Sequence, residues 1–239
     1  MKRNLKALGL AMVAVFALSA VAASAAQAAN HHLTVPTAPA IVTAEDTVNT
    51  VFSMTGGNRK IECATTKYEG TVSETTSTEV TVAGTYGGCT VKGGGEISAT
   101  VDVKHCALIL TGETDANGDA KTHIECAEGN EIHITYSVFG SACTVAITPQ
   151  TPEGGVHYEQ AEPVGQKKDV TVTFTIKGIT YHEIGGGFCP ASSTTHDGTL
   201  NGTVTAKAYK DNGPTQAGTE KTTPTFNEGE QQDLTLSTT

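Results

Sequence analysis

The sequence predicts an all-β fold, an antiparallel β-sandwich stapled by three disulfides. Three observations carry that reading. Val, Thr and Ile alternate in short runs broken every few residues by Gly, Asn or Asp, with threonine the commonest residue and tryptophan absent. Past the first thirty residues, no stretch keeps apolar residues at helical spacing for three turns. All six cysteines, Cys63, Cys89, Cys106, Cys126, Cys143 and Cys189, lie beyond an N-terminal export signal. β-branched residues suit a pleated, half-buried surface, and an even cysteine count in a chain bound for an oxidising compartment reads as disulfides.

The chain divides as follows. Residues 1–28 have the parts of a secretory signal: basic Lys2, Arg3 and Lys6, an apolar run from Ala7 to Ala23, then small residues. Cleavage is expected after Ala28, behind Ala26-Gln27-Ala28, with Ala23-Ser24-Ala25 as the second option. Residues 29–40, with Pro36 and Pro39, read as a loose leader, residues 41–210 as one sandwich-like domain with two small lobes as the alternative, and residues 211–239 as a polar, flexible tail in which "QDLTLST" could dock as a last strand. Within the domain, "NTVFSM", "TEVTVAG", "EISATVDV", "CALILTG", "EIHITYSVF", "CTVAIT" and "GTLNGTVTAKAY" have strand patterning. The clearest run is "DVTVTFTIKG", with Val170, Val172, Phe174 and Ile176 on one face and Thr171, Thr173 and Thr175 on the other. After Gly178 the apolar phase changes to Ile179 and Tyr181, which predicts a bulge there.

Charge excludes one class of partner. Losing Lys2, Arg3 and Lys6 with the signal moves the formal net charge from −10 to −13, and Arg59 is then the single arginine. Nucleic-acid binding rests on clustered Lys and Arg displacing counterions, so no nucleic-acid partner is expected. Nor is a membrane partner expected once the signal is removed.

A hairpin argument orders the cysteines. Residues facing each other across a hairpin have the turn near their midpoint. The midpoint of Cys63 and Cys89 falls in "SETTST", that of Cys106 and Cys126 in "TDANGDA", and that of Cys143 and Cys189 in "EPVGQKK", all turn-like. Cys126 with Cys143 would instead place its midpoint within "EIHITYSVF", a strand run. The sequence therefore favours sequential pairing, each loop worth about 3 to 4 kcal/mol in the chain-entropy picture. No close C-x-x-C pair suggests zinc. A weak internal echo, "IEC" at 61–63 and 124–126, each followed by an aromatic-Gly-Cys-Thr-Val segment, hints at duplication.

Four constellations could carry chemistry. "HIECAEGNEIHI" would, with a tight turn centred on Glu128, set His123 opposite His133 and Glu125 opposite Glu131 on one face, a candidate metal site of His123, Glu125, Glu131 and His133. The same alternation describes a half-buried hairpin with a wet face, and no metal or other cofactor is expected. "DANGDAKTHIEC" begins like a calcium loop with Asp115, Asn117 and Asp119, but Ala120 and Cys126 stand where the pattern needs Gly and Glu. "YHEIGGGFCPASSTTHDG" holds His182, Glu183, Ser192, Ser193, His196 and Asp197, ingredients of a nucleophile triad without a G-x-S-x-G elbow, so no catalytic residue is assigned. Lectin-type stacking is disfavoured, because aromatics are few and Phe52 and Phe174 are in core register.

The signal ending "ASAAQAA", followed by "IEC", "GGCT", "HC", "IECAEG", "ACTV", "DVTV", "GITY" and "GGGFC", resembles uncharacterised secreted six-cysteine all-β proteins of actinomycete-like bacteria. The resemblance runs to about residue 208. It implies secretion and an all-β disulfide-bonded fold, and transfers no active site. The functional expectation is an exported structural or interaction module, not an enzyme, that meets a protein or envelope component outside the cell. A metal-dependent hydrolase and a surface adhesin are the alternatives.

Overall fold

The computed structural model describes residues 31–54, 59–93, 95–114, 120–161, 167–189, 193–212 and 228–238. The export signal, the calcium-like Asp115, Asn117 and Asp119, and Ser192 lie outside the described residues. Among the described residues there are seventeen strands and no helix. In chain order they are β1 (His31–Thr34), β2 (Ala40–Met54), β3 (Arg59–Cys63), β4 (Thr65–Val72), β5 (Thr76–Ser77), β6 (Glu79–Gly87), β7 (Cys89–Lys92), β8 (Ile97–Asp102) and β9 (Cys106–Thr114). They continue with β10 (Ala120–Cys126), β11 (Ile132–Val138), β12 (Ser141–Ile147), β13 (Glu153–Gln160), β14 (Val170–Gly185), β15 (Thr194–Asp211), β16 (Glu228–Gln232) and β17 (Thr235–Thr238).

Three of these, β2, β14 and β15, run to 15, 16 and 18 residues, far beyond the usual five or six or so. They lie side by side in the order β2-β15-β14, antiparallel throughout. Their length lets each serve two sets of neighbours. The first half of β2 pairs with β4 and its last residues with β3, while the first half of β14 pairs with β13 and its last residues with β12. Following the ladders from β2 back to β14 gives two closed circuits. One runs β2-β4-β6-β9-β10-β13-β14-β15, the other β2-β3-β7-β8-β11-β12-β14-β15. The expected sandwich thus takes the form of one sheet folded over twice, its opposed walls packing across two apolar interiors.

The bulge read at Gly178 sits at the changeover. Val170, Val172, Phe174 and Ile176 point inward, register with β15 breaks between Ile176 and Ile179, and Ile179, Tyr181 and Glu183 then point inward in the shifted phase. Gly178 has φ of +67°, a left-handed conformation that glycine adopts without steric cost. Ahead of it β14 borders β13, and beyond it β12. One inserted residue therefore keeps the dry face inward while the strand passes from one circuit to the other.

Side chains fill both interiors. The first is packed by residues such as Val42, Tyr68, Val82, Val172, Phe174 and Val204. The second is packed around Phe52, Ile61, Ile134, Ile147 and Ile179, and where it meets Leu108 of β9 and Ile124 of β10 it retains an apolar cavity of about 60 Å³. A cavity of roughly 150 Å³ is what holds a benzene-sized molecule, so this interior is a core rather than a ligand chamber.

The ends of the chain extend the fold beyond residues 41–210. The leader segment supplies β1, and the polar tail supplies β16 and β17. β1 lies between β17 and β5, with Leu33 opposite Leu236, and this small sheet lids the far end of the first interior. Val35 and Leu234 are buried beneath it. Gly112 permits the close approach: a Cβ there would stand 2.0 Å from the His31 carbonyl oxygen. The apolar letters in these polar segments were too few to show a periodicity, and they pack only because the two termini meet.

Disulfides join Cys63 to Cys89, Cys106 to Cys126 and Cys143 to Cys189, which is the sequential pairing. Cys106 and Cys126 are direct partners in the β9–β10 ladder, and Cys63 and Cys89 extend the β3–β7 ladder by one position. The third bridge ties the start of β12 to the glycine-rich segment after β14.

Burial raises the phenols of Tyr68, Tyr86, Tyr136 and Tyr158 above the ordinary value of 10.0. Folded and unfolded chains both hold neutral phenols below pH 10, so these groups leave stability unaffected there. Above it the unfolded chain ionises first and stability falls. Alkaline titration followed by tyrosinate absorbance should thus show these tyrosines ionising together with unfolding. A smooth titration with native circular dichroism retained would contradict their burial.

Candidate functional site

The strand ends at Met54 and Arg59, Val91 and Ile97, Val138 and Ser141, and Gly185 lie at the end of the second circuit remote from the β1–β17 lid. The pairings Met54 with Arg59, Val91 with Ile97, Val138 with Ser141, and Cys143 with Gly185 bring them there. Inside this end, inward-facing Glu183 is 6% exposed and is paired with Nη2 of Arg59. Nη1 of Arg59 donates to the Tyr136 hydroxyl at 3.2 Å. A carboxylate this buried needs a cation, and the planar guanidinium serves both partners at once. Burial raises the Tyr136 phenol, and the Arg59 charge partly opposes this. The trio closes the interior with polar groups that satisfy one another.

The candidate metal residues do not assemble. β10 is held by β9 on one side, with His123 opposite Ile109 and Glu125 opposite Ala107, while Ala120 and Ile124 reach Val156 and Gln150 on the other. No edge remains to receive β11. The turn after Cys126, with Asn130 N donating to Ala127 O at 2.9 Å, instead carries the chain across to β11, which pairs with β8 and β12. His123 hydrogen-bonds through Nδ1 to Thr151 Oγ1 at 2.8 Å, far in the ladder from His133. The alternation itself holds, since Ile124, Ile132 and Ile134 line one cavity. The expected hairpin partner does not: β11 pairs with β8 and β12 and not with β10. Among the described residues no group of three or more His, Cys, Asp or Glu is placed to hold a metal ion.

Glu131 and His133 instead meet His182 on the outer face of β11, β12 and β14, where Ala146 lies between the two histidines in the ladder. The Glu131 carboxylate is 3.5 Å from His133 Nε2 and 3.7 Å from His182 Nε2. Lys104 Nζ donates to His133 Nδ1 at 2.8 Å, which leaves the ring proton on Nε2, facing the carboxylate. The described triad ingredients engage other partners. His182 and Glu183 point to opposite faces of β14, Thr180 Oγ1 is hydrogen-bonded to His196 Nδ1 at 2.8 Å, and the Tyr181 hydroxyl donates to Asp197 at 3.1 Å. Ser193 offers its carbonyl to the Glu183 amide.

The exposed apolar surface is concentrated in a place that the sequence reading did not single out. Of the four large exposed hydrophobics among the described residues, Phe139, Phe188 and Ile184 belong to one tip. Phe139 is 88% exposed and Phe188 is 66% exposed, with ring centroids 5.3 Å apart in an edge-to-face arrangement. Phe139 and Gly140 form the two-residue turn between β11 and β12, with φ of +47° and +84°. Such hairpin turns favour Asn or Gly at both positions. A phenylalanine there costs on the order of 1 kcal/mol and buries nothing in return. Phe188 sits beside Cys189, whose disulfide to Cys143 fixes the segment against β12. A Cβ at Gly185 would stand 2.7 Å from Cys189 Sγ, so the run of glycines lets this segment fold tightly over the bridge. A sequence signal did exist: "SVFGSA" places Phe-Gly where a hairpin between two strand runs calls for Asn-Gly.

No protein-family model, no curated protein and no solved structure matches the chain. The class that fold and site define is therefore a disulfide-stapled all-β module with an aromatic tip.

Removing one partner of the buried ion pair should be costly and removing both less so. Arg59→Leu or Glu183→Leu alone is expected to lower stability by about 3 kcal/mol in urea unfolding at neutral pH, and the double variant to recover a good part of it. Additive losses would show that the two side chains do not interact.

Proposed function

We propose that the protein is an exported, non-catalytic interaction module that engages a component outside the cell through the Phe139–Phe188 tip. One observation carries this reading: a phenylalanine in a left-handed turn position, almost wholly exposed and set edge-to-face against a second exposed phenylalanine. Neither side chain serves the core, and the turn would be more stable without Phe139. Strain and exposed aromatic surface held together are features of contact sites. The disulfide-rich, all-β fold fits an extracellular module, and no helix among the described residues is long and apolar enough to cross a membrane.

The reading separates stability from function at one residue. Phe139→Asn should keep or slightly raise the melting temperature, because Asn suits the left-handed turn, while binding to isolated cell envelopes falls at least tenfold in co-sedimentation. Phe188→Ser should weaken binding similarly. Unchanged binding in both variants would overturn the proposal, as would stoichiometric bound metal with a hydrolytic activity that chelation abolishes.

A further inference from the structure

The tip has a depth as well as a composition. From Phe139 down the outer face of β11, β12 and β14, the ladder rows are Ser137 and Ala142, then Thr135, Thr144 and Ile184, and then His133, Ala146 and His182. His133 and His182 are the first titratable side chains met on this face. His133 lies six residues below Phe139 on β11, or about 20 Å at the rise of a strand, and His182 shares its row on β14. The segments "SVFGSACT" and "IGGGFC" carry no charge at all, in a chain of net charge −10. Acidic side chains are scarce across the whole end. Its described turns and strand ends hold Arg59, Lys60 and Lys92 against Glu96 and Glu183, with Glu183 paired to Arg59 and Glu96 to Lys92. This pole is thus neutral to slightly basic while the rest of the protein is acidic.

Resting on the interaction reading above, we propose that the partner is a phospholipid bilayer, with Phe139 and Phe188 inserted at the boundary between headgroups and acyl chains. Surface-seated protein segments bury apolar side chains roughly 5–10 Å deep, and this face offers more than that depth before a charge would have to leave water. The chemistry of the rings favours lipid over sugar. Phenylalanine has no polar atom with which to bind a hydroxyl, and rings inclined at 68° present no shared flat platform for stacking on a pyranose. The backbone is suited too, since Val138 and Ser141 close the turn within the β11–β12 ladder.

The absence of tryptophan makes the test direct. Phe139→Trp places a single indole on a side chain that touches little of the protein, and it is mixed with phosphatidylcholine vesicles, with and without phosphatidylglycerol. The expected result is a blue-shifted emission on adding vesicles of either kind, with quenching by acyl chains brominated near the headgroup. In vesicle flotation of the otherwise native chain, Phe139→Asn and Phe188→Ser should each lower partitioning about tenfold or more. An emission that ignores vesicles, or one that shifts with protein concentration alone because the tip pairs with a second copy, overturns the lipid proposal. If vesicles fail while envelope binding still depends on Phe139, the partner is a protein or glycan and the interaction reading stands. If neither vesicles nor envelopes depend on the tip, both fall.

Discussion

Everything in this fold depends on three antiparallel strands long enough to be shared. A strand of usual length closes one circuit, but β2, β14 and β15 each continue past that point and offer their second half to another set of neighbours. Continuing has a geometric difficulty. Strand twist accumulates with length, and the inward face must be re-aimed as the strand leaves one interior for the next. The extra residue of β14 near Gly178 and the register breaks between β2 and β15 supply that re-aiming. Without them, the alternation that buries Phe174 would turn Tyr181 and Glu183 out to water. The two interiors and the polar cap of Arg59, Glu183 and Tyr136 all follow from keeping one face dry along the whole ribbon.

What was legible in the sequence, and what was not, follows the range of the physics involved. Alternation is local, so the dry face of "DVTVTFTIKG" and the bulge after it could be read from adjacent letters. The cysteine pairs were legible because the midpoint argument needs only a turn between two strands, although the third midpoint is a looser case: β13 and β14 intervene between Cys143 and Cys189. Strand partnership is long-range and was misread at "HIECAEGNEIHI". The letters permit a hairpin, but whether β10 has a free edge depends on β9 and on the residues that follow β12, neither of which local pattern reveals. The same limit hid the docking of β1 on β17, which joins residues at opposite ends of the chain.

The three disulfides act at different levels. Two link strands that already pair, so their main effect is on the unfolded chain, whose freedom they restrict. The Cys143–Cys189 bridge does something more local. It fastens a segment of consecutive glycines, which would otherwise have many conformations, to the rigid start of β12. Phe188 is thereby held against Phe139 rather than swept through solvent, and the entropy of presenting two rings together is met in folding rather than at contact.

That division accounts for the placement of strain. Non-glycine residues with positive φ among the described residues are Lys104, His105 and Phe139. Lys104 reaches the His133 and Glu131 cluster, and Phe139 forms the tip, both on the second circuit. A hairpin selected for stability alone would carry Asn or Gly where Phe139 stands. In a fold with ample buried apolar surface and three cross-links, an unfavourable turn of about 1 kcal/mol is tolerated because it lies outside the core and disturbs no ladder beyond its own closing pair. The margin that the shared ribbon provides is what permits an exposed aromatic tip to persist on an otherwise polar, acidic surface.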